Sequence, residues 1–153
     1  MTRAYLALGS NLGDREGHLA AARRLLREHG VVLVRASSVR ETEPFGVTDQ
    51  PVFLNQVLEI EWHGTPRSLL ETVKAVESEA GRTPTYRWGP REIDVDILLF
   101  GTEVVDEPGL TVPHPGLADR EFIKDLLAEV LRPDSAAGPA DAEDDRDGRM
   151  VRG

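Results

Sequence analysis

The sequence predicts an α+β domain: a ferredoxin-like antiparallel sheet with a βαββαβ core, helices packed on it, an extra short strand and a C-terminal helix. Three observations carry this. β-rich runs and amphipathic stretches follow in the order strand–helix–strand–strand–helix–strand, which is the split βαβ arrangement. The chain has 153 residues, enough for one domain with a buried core. Its 40% apolar content, with 14 glycines, lies in the ordinary globular range and argues against disorder for most of its length.

The elements follow in order. Residues 4–8, Ala-Tyr-Leu-Ala-Leu, read as a buried strand stopped by Gly9. Residues 9–14 read as a turn, with Gly9 and Gly13 serving its geometry. Asp14 is a plausible N-cap, and Glu16 adds a favourable first-turn charge. Leu19, Ala22, Leu25 and Leu26 then recur at helical spacing until Gly30. Residues 31–37 predict the second strand, and 41–51, with Pro44, Gly46 and Pro51, a loop. Residues 53–62 alternate, Phe53, Asn55, Val57 and Glu59 against Leu54, Gln56, Leu58 and Ile60, and predict the third strand. Thr65-Pro66 opens a helix whose stripe is Leu69, Leu70, Val73, Val76 and Ala80, stopped by Gly81. Residues 82–92 form a loop, 93–100 the fourth core strand, 103–105 a short extra strand, and about 119–131 a last helix. Two helices are expected to cover one sheet face, with the last strand and helix as additions. Residues 1–133 then form the folded domain. Residues 134–153 hold six acids, three arginines and almost no large apolar side chain, which predicts a disordered acidic tail.

Charge and composition narrow the function. The net charge of −9 weighs against sequence-independent nucleic-acid binding, which needs a basic surface. The absence of cysteine excludes disulfides, thiol nucleophiles and Cys-bound metals. No apolar run approaches a membrane span, and the first residues lack the long apolar segment of a signal peptide. A cytoplasmic protein, and a monomer, are the expectations. Within the acidic body, Arg82, Arg87 and Arg91 cluster, which suits a small anionic ligand.

That cluster leads into Arg87-Trp88-Gly89-Pro90-Arg91-Glu92-Ile93-Asp94-Val95-Asp96-Ile97-Leu98. Residues two apart on a strand share a face, so Asp94 and Asp96 point the same way, beside Leu98 and Phe100. Ile93, Val95, Ile97 and Leu99 are expected on the other face. Two like charges on one face are either solvated strand-entry residues or a seat for Mg²⁺, which takes one or two carboxylates and completes its shell with substrate phosphates. Arginine grips phosphate in a bidentate way, so the conjunction points to phosphate chemistry. Residues 9–14 carry no Gly-x-x-x-x-Gly-Lys pattern, which excludes a Walker loop there, although Asn11 remains a possible ligand contact. His114 stands between two prolines that fix its direction. Asn55, an amide among apolar neighbours, needs a partner. Phe53, Asn55 and Phe122 frame a flat heterocycle or belong to the core.

These residues resemble a known family. The stretch from Arg87 to Leu98 is similar to the signature of the 6-hydroxymethyl-7,8-dihydropterin pyrophosphokinases of folate biosynthesis. Ala7-Leu8-Gly9-Ser10-Asn11-Leu12-Gly13 resembles that family's opening, and Thr42-Glu43-Pro44-Phe45-Gly46 its first flexible loop. Asp49-Gln50-Pro51-Val52-Phe53-Leu54-Asn55 resembles its pterin-side strand. Leu110-Thr111-Val112-Pro113-His114-Pro115 and Arg120-Glu121-Phe122 resemble its last shared region.

The resemblance implies pyrophosphate transfer from ATP to the hydroxymethyl group of the pterin, releasing AMP. It implies two Mg²⁺ ions on Asp94 and Asp96, with Arg82 and Arg91 as catalytic arginines. Leu70, Glu77, Trp88, Ile97, Thr111, His114 and Arg120 would lie on the ATP side. Thr42, Pro44, Phe45, Phe53, Asn55 and Phe122 would form the pterin pocket. Loops 42–50 and 82–92 would close over the substrates. The chain departs from the family pattern at Arg40, at Pro84 within its Thr83-Pro84-Thr85 run, at Gly116 and at Asp125. Two other readings stay open on the residues alone: a Mg²⁺-dependent transferase with another acceptor, and a nucleotide-binding regulatory module without turnover.

Overall fold

The computed structural model describes residues 1–11, 13–42, 52–80, 93–131 and 138–139. Strands β1 (Thr2–Ser10), β2 (Val32–Ala36), β3 (Arg40–Thr42), β4 (Phe53–Trp62) and β5 (Asp94–Phe100) share one sheet. Helices α1 (Arg15–Glu28) and α2 (Pro66–Glu79) interleave with them. β6 (Val105–Glu107) and β7 (Leu110–Val112) form a separate hairpin, and α3 (Glu121–Leu131) follows. The core strands lie in the order β5-β1-β4-β2, every pair antiparallel. This is the predicted split βαβ sheet.

The caps stop and start the helices as their residues dictate. Asp14 accepts the Gly17 N–H at 3.1 Å and opens α1. Gly30, at φ +93°, takes a conformation closed to most side chains and turns the chain into β2. Thr65 and Ser68 exchange hydrogen bonds in a capping box at the start of α2, with Pro66 in the first turn.

α1 and α2 cover one face, and their apolar stripes meet Leu6, Leu8, Leu58, Ile60, Val95, Ile97 and Phe100. α3 lies on the opposite face. Its Ile123, Leu126, Leu127 and Val130 pack on Ala7, Val57 and Leu98. The last helix is therefore the second layer of the core rather than an addition. We call these the helix-pair face and the α3 face.

Several predicted boundaries move. β1 runs on through Gly9 to Ser10, because Gly9 pairs with both Asn55 and Asp94. Non-local pairing overrides the local tendency of glycine to end a strand. Gly13, at φ +70°, does serve the turn. Arg40–Thr42 pairs with Phe53–Asn55, so the predicted loop begins as a strand. The predicted 103–105 strand is the hairpin β6–β7. Gly138–Pro139, inside the predicted disordered tail, forms β8 on the free edge of β2, opposite Arg35 and Ala36. A covered edge offers fewer unpaired backbone groups to other chains.

One departure changes which side chains face the site. Tyr5 pairs with Leu99 but Leu6 pairs with Ile97, so Leu98 is an extra residue in β5. A bulge of this kind reverses the alternation beyond it. Phe100 consequently joins the helix-pair face with Val95 and Ile97, while Leu98 and Leu99 pack toward α3. The predicted partition holds for Asp94 through Leu98 and fails for Leu99 and Phe100.

Candidate active site

β5 is the sheet's outer strand, and the chemistry gathers around it. Asp96 stands opposite Ala7, and Asp94 opposite Gly9, on the α3 face. The intervening Val95 is buried on the helix-pair face. This alternation points both carboxylates to one side. The Asp96 side chain is 48% exposed, so its oxygens are open to a ligand. Two hard carboxylate donors, one above the other on a rigid strand, fit Mg²⁺, whose remaining positions go to water and phosphate.

The strand beneath them is held by Glu77. Its carboxylate is buried, 4% exposed, and accepts the Val95 N–H at 2.8 Å. Val95 is the residue between the two aspartates, so α2 fixes the backbone that aims them. The sequence placed Glu77 on the ATP side; the structure shows it bonding to β5.

A cleft of about 230 Å³ opens along the outer edge of β5. Leu70 and Lys74 of α2 form one wall, Val95, Asp96 and Ile97 the floor, and Gly109, Leu110, Thr111, His114 and Pro115 the other wall. Leu70, Ile97, Thr111 and His114, expected on the ATP side, are thus brought together. Lys74 was missed. The signal lay in its spacing: positions 70, 74 and 77 share one helix stripe.

His114 has a defined chemical orientation. Its backbone N–H donates to the Leu98 carbonyl at 3.0 Å, which sets the segment beside β5. The Gly116 N–H donates to His114 Nδ1 at 2.9 Å. An acceptor at Nδ1 leaves the proton of the neutral ring on Nε2. Nε2 lies 3.9 Å from Asp96 Oδ1. Gly116, a departure from the expected pattern, is therefore the residue that orients His114. A Cβ on Gly116 would sit 3.1 Å from Nδ1 and 3.5 Å from Arg120 Nε, which places the Arg120 side chain beside the same turn.

The described residues expected around the pterin fall on the α3 face. Asn55 is 7% exposed. Its Nδ2 donates to Thr42 Oγ1 and approaches the Arg40 carbonyl at 3.5 Å. A carbonyl only accepts, so the amide nitrogen must face it, and Oδ1 faces the other way, toward Gly9. Phe53 shares this face by alternation. Phe122, in the first turn of α3, packs on the Ala7–Val57–Leu98 cluster. β3, β4 and the start of α3 thus bring Thr42, Phe53, Asn55 and Phe122 to one side of the sheet. Arg15 Nη1 donates to the Val52 carbonyl at 2.7 Å and pins the chain just before Phe53. Asn11, a possible ligand contact by sequence, is fully buried.

Pro44, Phe45, Arg82, Trp88 and Arg91 lie outside the described residues, as do loops 43–51 and 81–92. Among the described residues, no helix is long and apolar enough to cross a membrane.

Residues 5–132 match the family model described as 7,8-dihydro-6-hydroxymethylpterin-pyrophosphokinase. The chain is 45% identical over 149 residues to the 2-amino-4-hydroxy-6-hydroxymethyldihydropteridine pyrophosphokinase of Bacillus subtilis, covering 97% of this chain and 89% of that one. It is 42% identical to the enzyme of the same name from Methylorubrum extorquens, covering 90% and 87%. It is also 42% identical to that of Aquifex aeolicus, covering 85% and 81%. A split βαβ sheet, two aspartates on its outer strand, a cleft beside them and a match spanning nearly the whole chain place this protein in the 7,8-dihydro-6-hydroxymethylpterin pyrophosphokinase family.

Proposed function

We infer that this chain transfers pyrophosphate from ATP to the hydroxymethyl group of 6-hydroxymethyl-7,8-dihydropterin, the step that gives AMP and the pterin diphosphate in folate synthesis. The observation that supports the residue roles is the position of Asp94 and Asp96. Asp96 lines the β5-edge cleft, and Asp94, on the same face of β5, stands in one row with Gly9 and Asn55.

In this reading the cleft takes ATP. Leu70 and Ile97 offer apolar walls to the base, while Thr111, His114 and Arg120 lie toward its polar parts. Glu77 acts from beneath by holding Val95. The α3 face takes the pterin, with Phe53 and Phe122 against the ring and the Asn55 amide reading its hydrogen-bonding edge. Thr42 holds that amide in place. Pro44, Phe45 and Trp88 complete the pockets from the two loops. Asp94 and Asp96 hold two Mg²⁺ ions, which supply charge neutralisation on the ATP phosphates. Arg82 and Arg91 steady the triphosphate and the transferring group.

The acceptor oxygen bonds to the β-phosphorus as the bond from that phosphorus to the departing AMP oxygen breaks, and the hydroxyl proton leaves to water. Such transfer depends on positioning and on charge stabilisation rather than on covalent chemistry with the protein. The chain's contribution is therefore a rigid strand that aims two carboxylates. The catalytic unit is residues 1–133, with β8 of the following segment on its sheet edge, and its substrates are these two small molecules.

The test is to mix protein, Mg²⁺, ATP and 6-hydroxymethyl-7,8-dihydropterin and to separate the nucleotides. Pterin-dependent AMP with equal pterin diphosphate is expected. ADP would instead mean single phosphoryl transfer, and no nucleotide change would mean binding without turnover. Asn55→Ala is expected to abolish pterin binding and spare ATP binding. Loss of both together would overturn the assignment of Asn55 to the pterin.

A further inference from the structure

We propose that Arg67 clasps the β6–β7 hairpin to α2 and so sets the width of the nucleotide cleft, as a positioning residue for ATP. The proposal rests on the assignment of the β5-edge cleft to ATP.

The walls of the cleft are far apart in the chain. Leu70 and Lys74 of α2 form one, and Gly109, Leu110 and Thr111 of the hairpin belong to the other. Arg67 lies in the first turn of α2, on the same helix stripe as Leu70. Its Nη2 donates to Glu107 Oε1 at 2.9 Å and to the Pro108 carbonyl at 3.0 Å. Glu107 ends β6, and Pro108 directly precedes Gly109. One guanidinium therefore joins both walls. The join is at one end of the cleft, because Glu77, which bonds beside Asp96, lies about 15 Å further along the helix.

The hairpin needs such a hold. β6 and β7 have three residues each and form a two-stranded sheet of their own, which is marginal by itself in water. Glu107 pairs with Leu110, so the turn between them has two central residues, Pro108 and Gly109. Turns of that length match the twist of their strands when the first central residue has a positive φ. Proline fixes φ near −65°, which forbids it at Pro108. Gly109, at φ +75°, completes the type II pattern, which splays the strands instead. Leu110 and Val112 anchor β7 in the core. Arg67 holds β6 and the turn.

α2 does not benefit from the charge at this position, since a cation in the first turn opposes the helix dipole. Arg67, Glu107 and Pro108 are not among the described residues that line the cleft. Arg67 therefore acts on the nucleotide through Gly109, Leu110 and Thr111. A wall already in place loses less freedom when the ligand binds.

The experiment measures binding of a non-hydrolysable ATP analogue with Mg²⁺ to the wild-type protein, Arg67→Ala, Glu107→Ala and the double variant. The side chains are 41% and 54% exposed, so the effect is that of a surface ion pair. Arg67→Ala is expected to weaken the analogue, and raise ATP KM, about fivefold. The pterin KM and kcat at saturating ATP are expected to stay within about twofold of wild type. The thermal midpoint should hold or rise, because the helix loses an unfavourable charge. A purely structural role would lower the midpoint and weaken both substrates. Arg67→Lys keeps the charge and is expected to recover part of the affinity. Glu107→Ala should weaken the analogue about threefold, since the Pro108 bond remains. The double variant should lose no more than Arg67→Ala alone.

Analogue affinity within about twofold of wild type in Arg67→Ala would overturn the proposal. Unchanged or tighter binding by Glu107→Ala would also overturn it, because Arg67 would then touch the nucleotide itself. Losses that multiply in the double variant would do the same. Should Arg67→Ala fail to fold, Glu107→Ala, which leaves α2 intact, carries the test. A wild type that binds no ATP analogue would sink the assignment of the cleft and this inference together. A wild type that binds it, with silent variants, would sink only this inference.

Discussion

Arg40 and Asp125 form an ion pair, Nη1 to Oδ2 at 3.1 Å, that joins β3 to α3. Both positions are among those where the resemblance leads to a different expected residue, and the two side chains meet each other. The pair flanks the residues assigned to the pterin: Arg40 stands opposite Asn55, and Asp125 lies one turn beyond Phe122. A second link, in which the Ser38 backbone N–H and hydroxyl donate to the Glu129 carboxylate, ties α3 to the segment just before β3. These two positions therefore bear on how α3 is seated, not on the ATP cleft.

The pair is exposed at both ends, 43% and 59% of the side chains, so its contribution is small. Asp125→Ala is expected to change unfolding free energy by less than about 1 kcal/mol, the range of surface ion pairs. A double-mutant cycle in urea with Arg40→Ala should give a coupling that shrinks in added salt. A coupling well above that range, insensitive to salt, would show that the pair is not solvated as described.

Asp94→Asn and Asp96→Asn are each expected to reduce AMP release about 100-fold or more, the scale seen when one charge-stabilising group is removed. Chelation of Mg²⁺ should do the same to the wild type. Circular dichroism should show the fold intact, because Asp96 is exposed. Near-normal turnover by either variant would remove that residue from the proposed site.

Glu77→Ala strips the acceptor from the buried Val95 N–H. The cost of leaving such a donor unsatisfied is about 1–3 kcal/mol. A lower thermal midpoint and slower turnover should appear together, since the same bond holds the strand that aims both aspartates. Slower turnover at unchanged stability would instead mean that Glu77 touches the substrate.

Burial and the hydrogen bond to Glu59 push the Tyr5 hydroxyl up to about 12. The unfolded chain releases that proton near pH 10. The unfolded state therefore binds fewer protons between these values, and stability falls as pH rises through that window. The contribution is complete below pH 10 and lost above about 12. Tyr5→Phe should flatten this part of the stability curve. Identical alkaline slopes for both proteins would contradict the assignment.

Local chemistry was readable from the residues. Asp14, Thr65-Pro66 and Gly30 marked helix ends because capping depends on near neighbours. The alternation over Phe53–Trp62 assigned Asn55 and Gln56 to opposite faces, since one strand has one period. Asp94 and Asp96 shared a face for the same reason. What the residues carried only through family resemblance, the placing of Leu70, Ile97, Thr111 and His114 on one side, became a cleft when α2 and β7 closed on β5.

By itself, then, the sequence determined the order of elements, the helix caps, the split βαβ sheet and the paired aspartates. Tertiary structure decided the rest, because the rest depends on partners distant in the chain. Leu98 bulges against β1, and that reverses the faces of Leu99 and Phe100. Gly9 continues a strand because Asn55 and Asp94 flank it. α3 becomes a core layer because Ala7, Val57 and Leu98 leave an apolar face to cover. Glu77 turns inward because the Val95 N–H needs an acceptor there. A periodic pattern records which way a side chain points; only the assembled sheet records what stands opposite it.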